Sequence, residues 1–92
     1  MIGSYRDKDT QRLAEGRGVL RFRMIEAVAR RKLYQIYLAQ RISDLAIPPG
    51  NRLEKLSGNR AGQWSIRIND QWRICFEWQD DTAYDVEIVD YH

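Results

Sequence analysis

Residues 51–92 read NRLEKLSGNRAGQWSIRINDQWRICFEWQDDTAYDVEIVDYH, and two alternating stretches inside them decide the fold. Trp64, Ile66 and Ile68 alternate with Ser65, Arg67 and Asn69. Trp72, Ile74, Phe76 and Trp78 alternate with Arg73, Cys75 and Glu77. Period-two alternation marks a strand with one buried face and one wet face. Asn69, Asp70 and Gln71 supply the turn between the two. For both apolar sets to face one core, opposed residues must share parity, because a one-residue slip turns every side chain over. Ile68 then opposes Trp72, and Arg67 falls beside Arg73 on the other face. Like charges side by side on a sheet cost stability. The cost is tolerable where both arginines point at a phosphate, which accepts paired, charge-assisted hydrogen bonds from guanidinium groups. The alternative is a solvated pair with Glu77 or Glu87 as partners.

Outward from this hairpin, Gln79, Asp80 and Asp81 form a turn into a last strand over 83–89. Upstream, Ser57 to Gly62 is a glycine-containing turn with Arg60 at its tip; it lacks the Gly-Lys-Ser/Thr ending of a Walker loop. A strand over 52–56 precedes it, after the rigid connection Ile47-Pro48-Pro49-Gly50-Asn51. The spacing of Met24, Ile25, Val28, Ala29, Leu33, Ile36 and Tyr37 predicts a helix over about 20–41. Arg23, Arg30, Arg31, Lys32 and Arg41 give it a basic face, either solvated or in contact with RNA phosphates or an acidic partner protein. Asp7 reads as the N-cap of a shorter helix that runs to about Glu15 and stops at Gly16. Residues 1–5 suggest a short strand with Ile2 and Tyr5 as contacts. The sum is an α+β fold, with two N-terminal helices on one face of a small, mainly antiparallel sheet of four to five strands. The face without helices is expected to be open and to carry Arg67 and Arg73.

A chain of 92 residues suggests one domain over 1–92 with one modest core. Hydrophobic residues at 43% and charged residues at 30% are ordinary for a globular protein. No apolar run approaches the ~20 residues of a membrane span, and the N-terminus lacks a signal-type apolar stretch. A single cysteine, Cys75, excludes an internal disulfide, fits a reducing cytoplasm and reads as a structural thiol. One histidine and one cysteine make no metal-ligand set, and nothing points to a cofactor. The tryptophans are better read as core than as a stacking platform for bases. Charge is uneven: fifteen basic and seven acidic residues lie at or before Arg73, a balance of +8, whereas residues 74–92 carry −6. Such blocks suggest a basic surface for nucleic acid beside an acidic terminal strand.

The ordered pattern of Arg52-Leu53-Glu54-Lys55-Leu56-Ser57-Gly58-Asn59-Arg60-Ala61-Gly62, Trp64-Ser65-Ile66, Trp72-Arg73 and the terminal Asp90-Tyr91-His92 resembles HigB-type toxins of the RelE/ParE superfamily, nearest the GraT-like subgroup. The resemblance covers essentially the whole chain. It implies a RelE-like fold and a type II toxin held inactive by a HigA-like helix-turn-helix antitoxin, which alone would contact operator DNA. It also implies metal-independent cleavage of mRNA in the small-subunit decoding site of a ribosome. By that resemblance Arg67 and Arg73 stabilise the phosphate, and His92 is the acid or base because its natural pKa lies near neutrality. Asp90 orients it or acts as base, and Tyr91 stacks on a base or positions the hydroxyl. Lys55, Arg60, Arg30 and Arg31 would meet RNA. HigB toxins often carry a histidine between the leucines of the second strand and a lysine just after; here Glu54 and Ser57 stand nearest, with Lys55 between, and Glu54 would replace the base. Two other functions compete: a ParE-like toxin that binds DNA gyrase without chemistry, and a plain RNA-binding module.

Overall fold

The computed structural model describes residues 1–91. Among them, β1 (Glu54–Lys55), β2 (Gln63–Arg67), β3 (Trp72–Gln79) and β4 (Thr82–Asp90) pair in chain order into one antiparallel sheet. The hairpin register follows the parity of its apolar residues: Trp64 opposes Phe76, Ile66 opposes Ile74 and Arg67 opposes Arg73. The Ile68 N–H donates to the Trp72 carbonyl at 2.9 Å and closes the turn as expected. Between β3 and β4 the turn is Asp80-Asp81, with Asp80 in the left-handed region at φ 58°. A bulge shifts the register between Cys75 and Glu77, and Asp85 on the facing strand also has positive φ, 52°.

The expected N-terminal strand is instead a seal on the sheet's edge. Residues 1–5 contribute isolated parallel bridges at Ile2 with Ala83 and Tyr5 with Val86, so they add no fifth strand. The bulge explains this, because an interrupted β4 cannot hold a continuous parallel ladder. Several of the edge's polar groups are still satisfied. Gly3 N–H donates to the Ala83 carbonyl, Val86 N–H to the Ser4 carbonyl, Asp85 N–H to Ser4 Oγ and Ile88 N–H to Thr10 Oγ1. A covered edge cannot pair with another chain. Thr10 reaches β4 from α1 (Lys8–Ala14), whose N-cap Asp7 accepts from the Thr10 N–H as expected.

The second helix differs from its prediction at both ends. Residues Leu20–Ile25 form a 3-10 segment, and α2 proper covers Glu26–Leu38. In 3-10 geometry residues three apart eclipse, so Phe22 and Ile25 both turn inward, with Phe22 wholly buried. Met24, expected in the core, is thereby turned out and is 95% exposed. Tyr37 is also exposed and stacks on Tyr34 instead. Lys32, placed on the basic face by periodicity, is buried. The core joins Leu13 of α1 and Ala29, Leu33 and Ile36 of α2 to Ile66, Ile74, Phe76 and Ile88 of the sheet. Trp64, Trp72 and Trp78 pack against its margin, and no helix among the described residues is long and apolar enough to cross a membrane.

The strand expected over 52–56 shrinks to Glu54–Lys55 because Arg52 takes a left-handed backbone at φ 46°, ψ 55°. The sheet face away from the core is not open either. Ser65 and Cys75 on that face are buried. Arg73 and Arg60 lie across it, held by Ser65, Gln63 and Glu87.

The inward turn of the 3-10 segment predicts that Phe22→Ala destabilises the protein by about 3–5 kcal/mol, as an emptied aromatic site does. Met24→Ala should stay within about 0.5 kcal/mol. Urea unfolding of the two variants checks this; equal losses would contradict the assignment.

Candidate active site

Arg73 stands at the centre of the non-core face because three elements converge on it. From β3 its Nε donates to Ser65 Oγ of β2 at 2.8 Å. Its Nη2 donates at 2.8 Å to the carbonyl of Arg52 and lies 3.6 Å from the Glu54 carboxylate of β1. The Tyr91 ring, just past β4, sits with its centroid 5.7 Å from the guanidinium carbon. The Arg73 side chain is only 12% exposed, so its position is set by the fold. Arg67 stands directly opposite and pairs with the Asp70 carboxylate of the turn. Asp70 is fully solvated, and water screens such an exposed pair strongly. An incoming phosphate can therefore displace it. The carboxylate partners of these arginines are Asp70 and Glu54, not Glu77 or Glu87.

Between them lies a cleft of about 290 Å³ lined by Arg52, Arg67, Asn69, Asp70, Arg73 and Tyr91. Asn69 holds the turn that forms one wall, its Oδ1 accepting from the Gln71 and Trp72 N–H groups at 2.9 and 2.7 Å. Arg52 forms the other wall and was not legible in advance, since a left-handed arginine leaves no pattern. Its place follows from Asn51, which is completely buried. Asn51 Nδ2 donates to Gln35 Oε1 of α2 and to the Leu45 carbonyl, both at 3.1 Å. Its Oδ1 accepts from Lys32 Nζ. One amide thus ties α2 to the segment 45–51 and fixes where the Arg52 carbonyl meets Arg73. Burial lowers the Lys32 pKa, and the charges of Arg31 and Arg67 lower it further.

The expected residues divide into groups. Arg67, Arg73, Glu54 and Tyr91 gather at the cleft. Asp90 stands opposite Trp72, so alternation turns it from Arg73's face, and its Oδ2 accepts from Gln71 Nε2 at 3.1 Å. His92 lies outside the described residues. Lys55 sits over the Trp64 ring, its Nζ 5.7 Å from the centroid, and alternation turns it away from Glu54. Arg60 is bound to Gln63 and Glu87 and borders a separate cavity of about 330 Å³ with Arg6 and Asn59. Arg30 donates to the Leu13 and Arg17 carbonyls and pairs with Glu26, which ties the end of α1 to α2. Arg31 is exposed. Cys75 lies beneath Arg60, Glu87, Arg73 and Glu54, and burial pushes its thiol up from the ordinary value. That suits a structural rather than a reactive cysteine.

Known proteins resemble the chain in sequence and in fold. The profile described as the RelE-like toxin of type II toxin-antitoxin system HigB matches residues 4–92. A Vibrio cholerae protein named Toxin HigB-1 is 52% identical over 59 residues, which is 64% of this chain and 62% of that protein. Endoribonuclease HigB of Proteus vulgaris is 42% identical over 41 residues, 45% of each chain. The matched stretches therefore span less than two thirds of these relatives. The fold resembles the YoeB-YefM complex from Staphylococcus aureus at a TM-score of 0.58 and 16% identity, covering 100% of this chain and 98% of that one. A YafQ mutant from E. coli follows at 0.57 and 13%, covering 99% and 94%.

The buried amide predicts two outcomes. Asn51→Ala leaves Lys32 without its acceptor and should lower stability by about 1–3 kcal/mol, the cost of an unsatisfied buried polar group. Because the folded-state pKa of Lys32 is lowered, the unfolded chain binds more protons between that pKa and the ordinary lysine value. Its contribution to stability therefore rises with pH through that window. Denaturation curves across alkaline pH should show a shallower rise in Lys32→Met; an unchanged slope would contradict the assignment.

Proposed function

The chain belongs to the HigB-like family of RelE-like type II toxins, and we propose that it is a metal-independent endoribonuclease that cleaves mRNA on the ribosome and is neutralised by a HigA-like antitoxin. The observation that carries this is the cleft in which Arg52, Arg67 and Arg73 converge beside Tyr91, with the Glu54 carboxylate at its rim. The family match favours the HigB branch over the gyrase-binding alternative.

The chemistry follows from the groups at hand. The 2′-hydroxyl oxygen of a ribose attacks the adjacent phosphorus, and its proton passes to a carboxylate or imidazole. The bond from phosphorus to the 5′-oxygen breaks, and that oxygen takes a proton. The products are a 2′,3′-cyclic phosphate and a 5′-hydroxyl. Negative charge grows on the phosphate oxygens in the transition state, and fixed donors aimed at it stabilise it more than they stabilise the ground state. Arg73 suits that role because its position is already held by Ser65 and Arg52. Arg67 exchanges its solvated Asp70 partner for the phosphate. Arginine stays protonated near neutral pH and cannot move protons. Glu54, beside Arg73 and exposed, is our candidate acceptor; His92 supplies the leaving-group proton, Tyr91 stacks on a base or positions the hydroxyl, and Asp90 orients its neighbours. Arg60, on the same face as Arg73, extends the basic surface along the RNA, whereas Lys55 is turned away from Glu54, Arg31 lies on α2 outside the cleft and Arg30 is held by structural bonds, which leaves all three less available.

The test is single-turnover cleavage of mRNA on programmed ribosomes. Arg73→Ala should slow cleavage by about 10²–10³-fold, as loss of a preorganised donor does. Glu54→Gln and His92→Ala should each cost about 10²–10⁴-fold. A folded Arg73→Ala protein cleaving at the full rate would overturn the site. Full activity in Glu54→Gln or His92→Ala would remove that residue from the chemistry.

A further inference from the structure

The outer face of α2 is apolar and basic at once. Ala27, Arg31, Tyr34 and Leu38 are all exposed and recur at spacings of four, three and four residues. That is the spacing at which one helix lays a stripe against another. Tyr34 and Leu38 are 61% and 56% exposed, and Tyr37 stacks on Tyr34 at the stripe's edge. Met24 and Leu20, in the 3-10 segment that leads into the helix, add further apolar surface. Single exposed apolar residues are ordinary, whereas a run of them along one helix marks an interaction surface.

Charge defines what fits there. Residues 20–41 carry Arg21, Arg23, Arg30, Arg31, Lys32 and Arg41 against a single acidic residue, Glu26. Arg21 is paired with Asp7 and Asp9, Arg30 with Glu26, and Lys32 is buried. Arg23 and Arg31 have no ion-pair partner among the described residues. A second copy of the chain would bring an equally basic helix against this one. RNA would satisfy the arginines but leave Leu38, Met24 and Leu20 in water. An acidic helix with apolar residues at matching spacing satisfies both.

We infer that the outer face of α2 is a docking surface for an acidic, amphipathic helix of a partner protein. The surface is distinct from the cleft, to whose lining α2 contributes no residue. For the partner's identity this rests on the toxin-antitoxin reading, in which the antitoxin supplies the helix. The charge and spacing stand without it.

A fluorescein-labelled synthetic peptide tests this, with heptads carrying leucine at the first and fourth positions and glutamate on the flanks. Titrated against the full chain, it should bind saturably by anisotropy. Leu38→Glu and Arg31→Glu should each weaken it about tenfold or more, with unchanged circular dichroism. A matched peptide with lysine for glutamate should not bind. Absent binding, or equal binding by the variants, overturns the inference. Self-association abolished by Leu38→Glu would assign the face to a second copy, and loss of single-stranded RNA binding in that variant would assign it to RNA; either result overturns it. Leu38→Glu should keep full mRNA cleavage, so peptide failure with cleavage intact sinks the docking surface alone. Peptide binding without cleavage by the parent protein sinks the nuclease reading alone.

Discussion

Burying Ile66 and Ile74 against the helices forces Arg67 and Arg73 to stand side by side. Both isoleucines are completely buried, and each is worth roughly 1.5–3 kcal/mol of burial. Like charges opposed on a sheet cost less than that, of order 0.2–1 kcal/mol. The core therefore wins, and the arginine pair is a by-product of the same parity that packs the sheet. What surrounds the pair makes it usable. Asp70 and Glu54 each neutralise one guanidinium from the rim rather than from the strands between. The charges stay close together without filling the space in front of them.

The second wall of the cleft depends on a polar interaction inside the core layer. Asn51 accepts a hydrogen bond from Lys32 and draws the chain at 49–51 onto α2, where the backbone turns left-handed at Arg52. A helix-to-loop tie thereby governs a carbonyl that holds Arg73. Buried polar networks of this kind are costly when incomplete and rigid when satisfied. A phosphate site gains from that rigidity, because donors already in place do not need to reorganise as charge develops.

Much of this was legible where the pattern was periodic. The hairpin register, the N-cap at Asp7 and the juxtaposition of Arg67 with Arg73 followed from alternation, capping chemistry and parity. The misses came where local geometry departs from one period. Met24 was placed inside by a helical repeat that the 3-10 lead-in does not obey, and Phe22 took its place. The seal on β4 was hidden because the Asp85 bulge has no sequence signature beyond an aspartate in a strand. Of the site, Glu54 and Tyr91 were named from family resemblance, and the structure brings both to Arg73. Arg52 and Asn51 were missed. The Pro-Pro-Gly-Asn run announced a turn, but nothing in it told that the asparagine would be buried or the arginine left-handed.

The cleft is tested most directly by NMR titration of arginine side-chain Nε–H resonances with a 2′-deoxy oligonucleotide, which cannot supply the attacking hydroxyl. Convergence of the arginines on one phosphate predicts saturable shifts at Arg67 and Arg73, with Tyr91 ring signals moving at the same concentration. Shifts confined to Arg6 and Arg60, with the cleft silent, would place the nucleic acid elsewhere and contradict the proposed site.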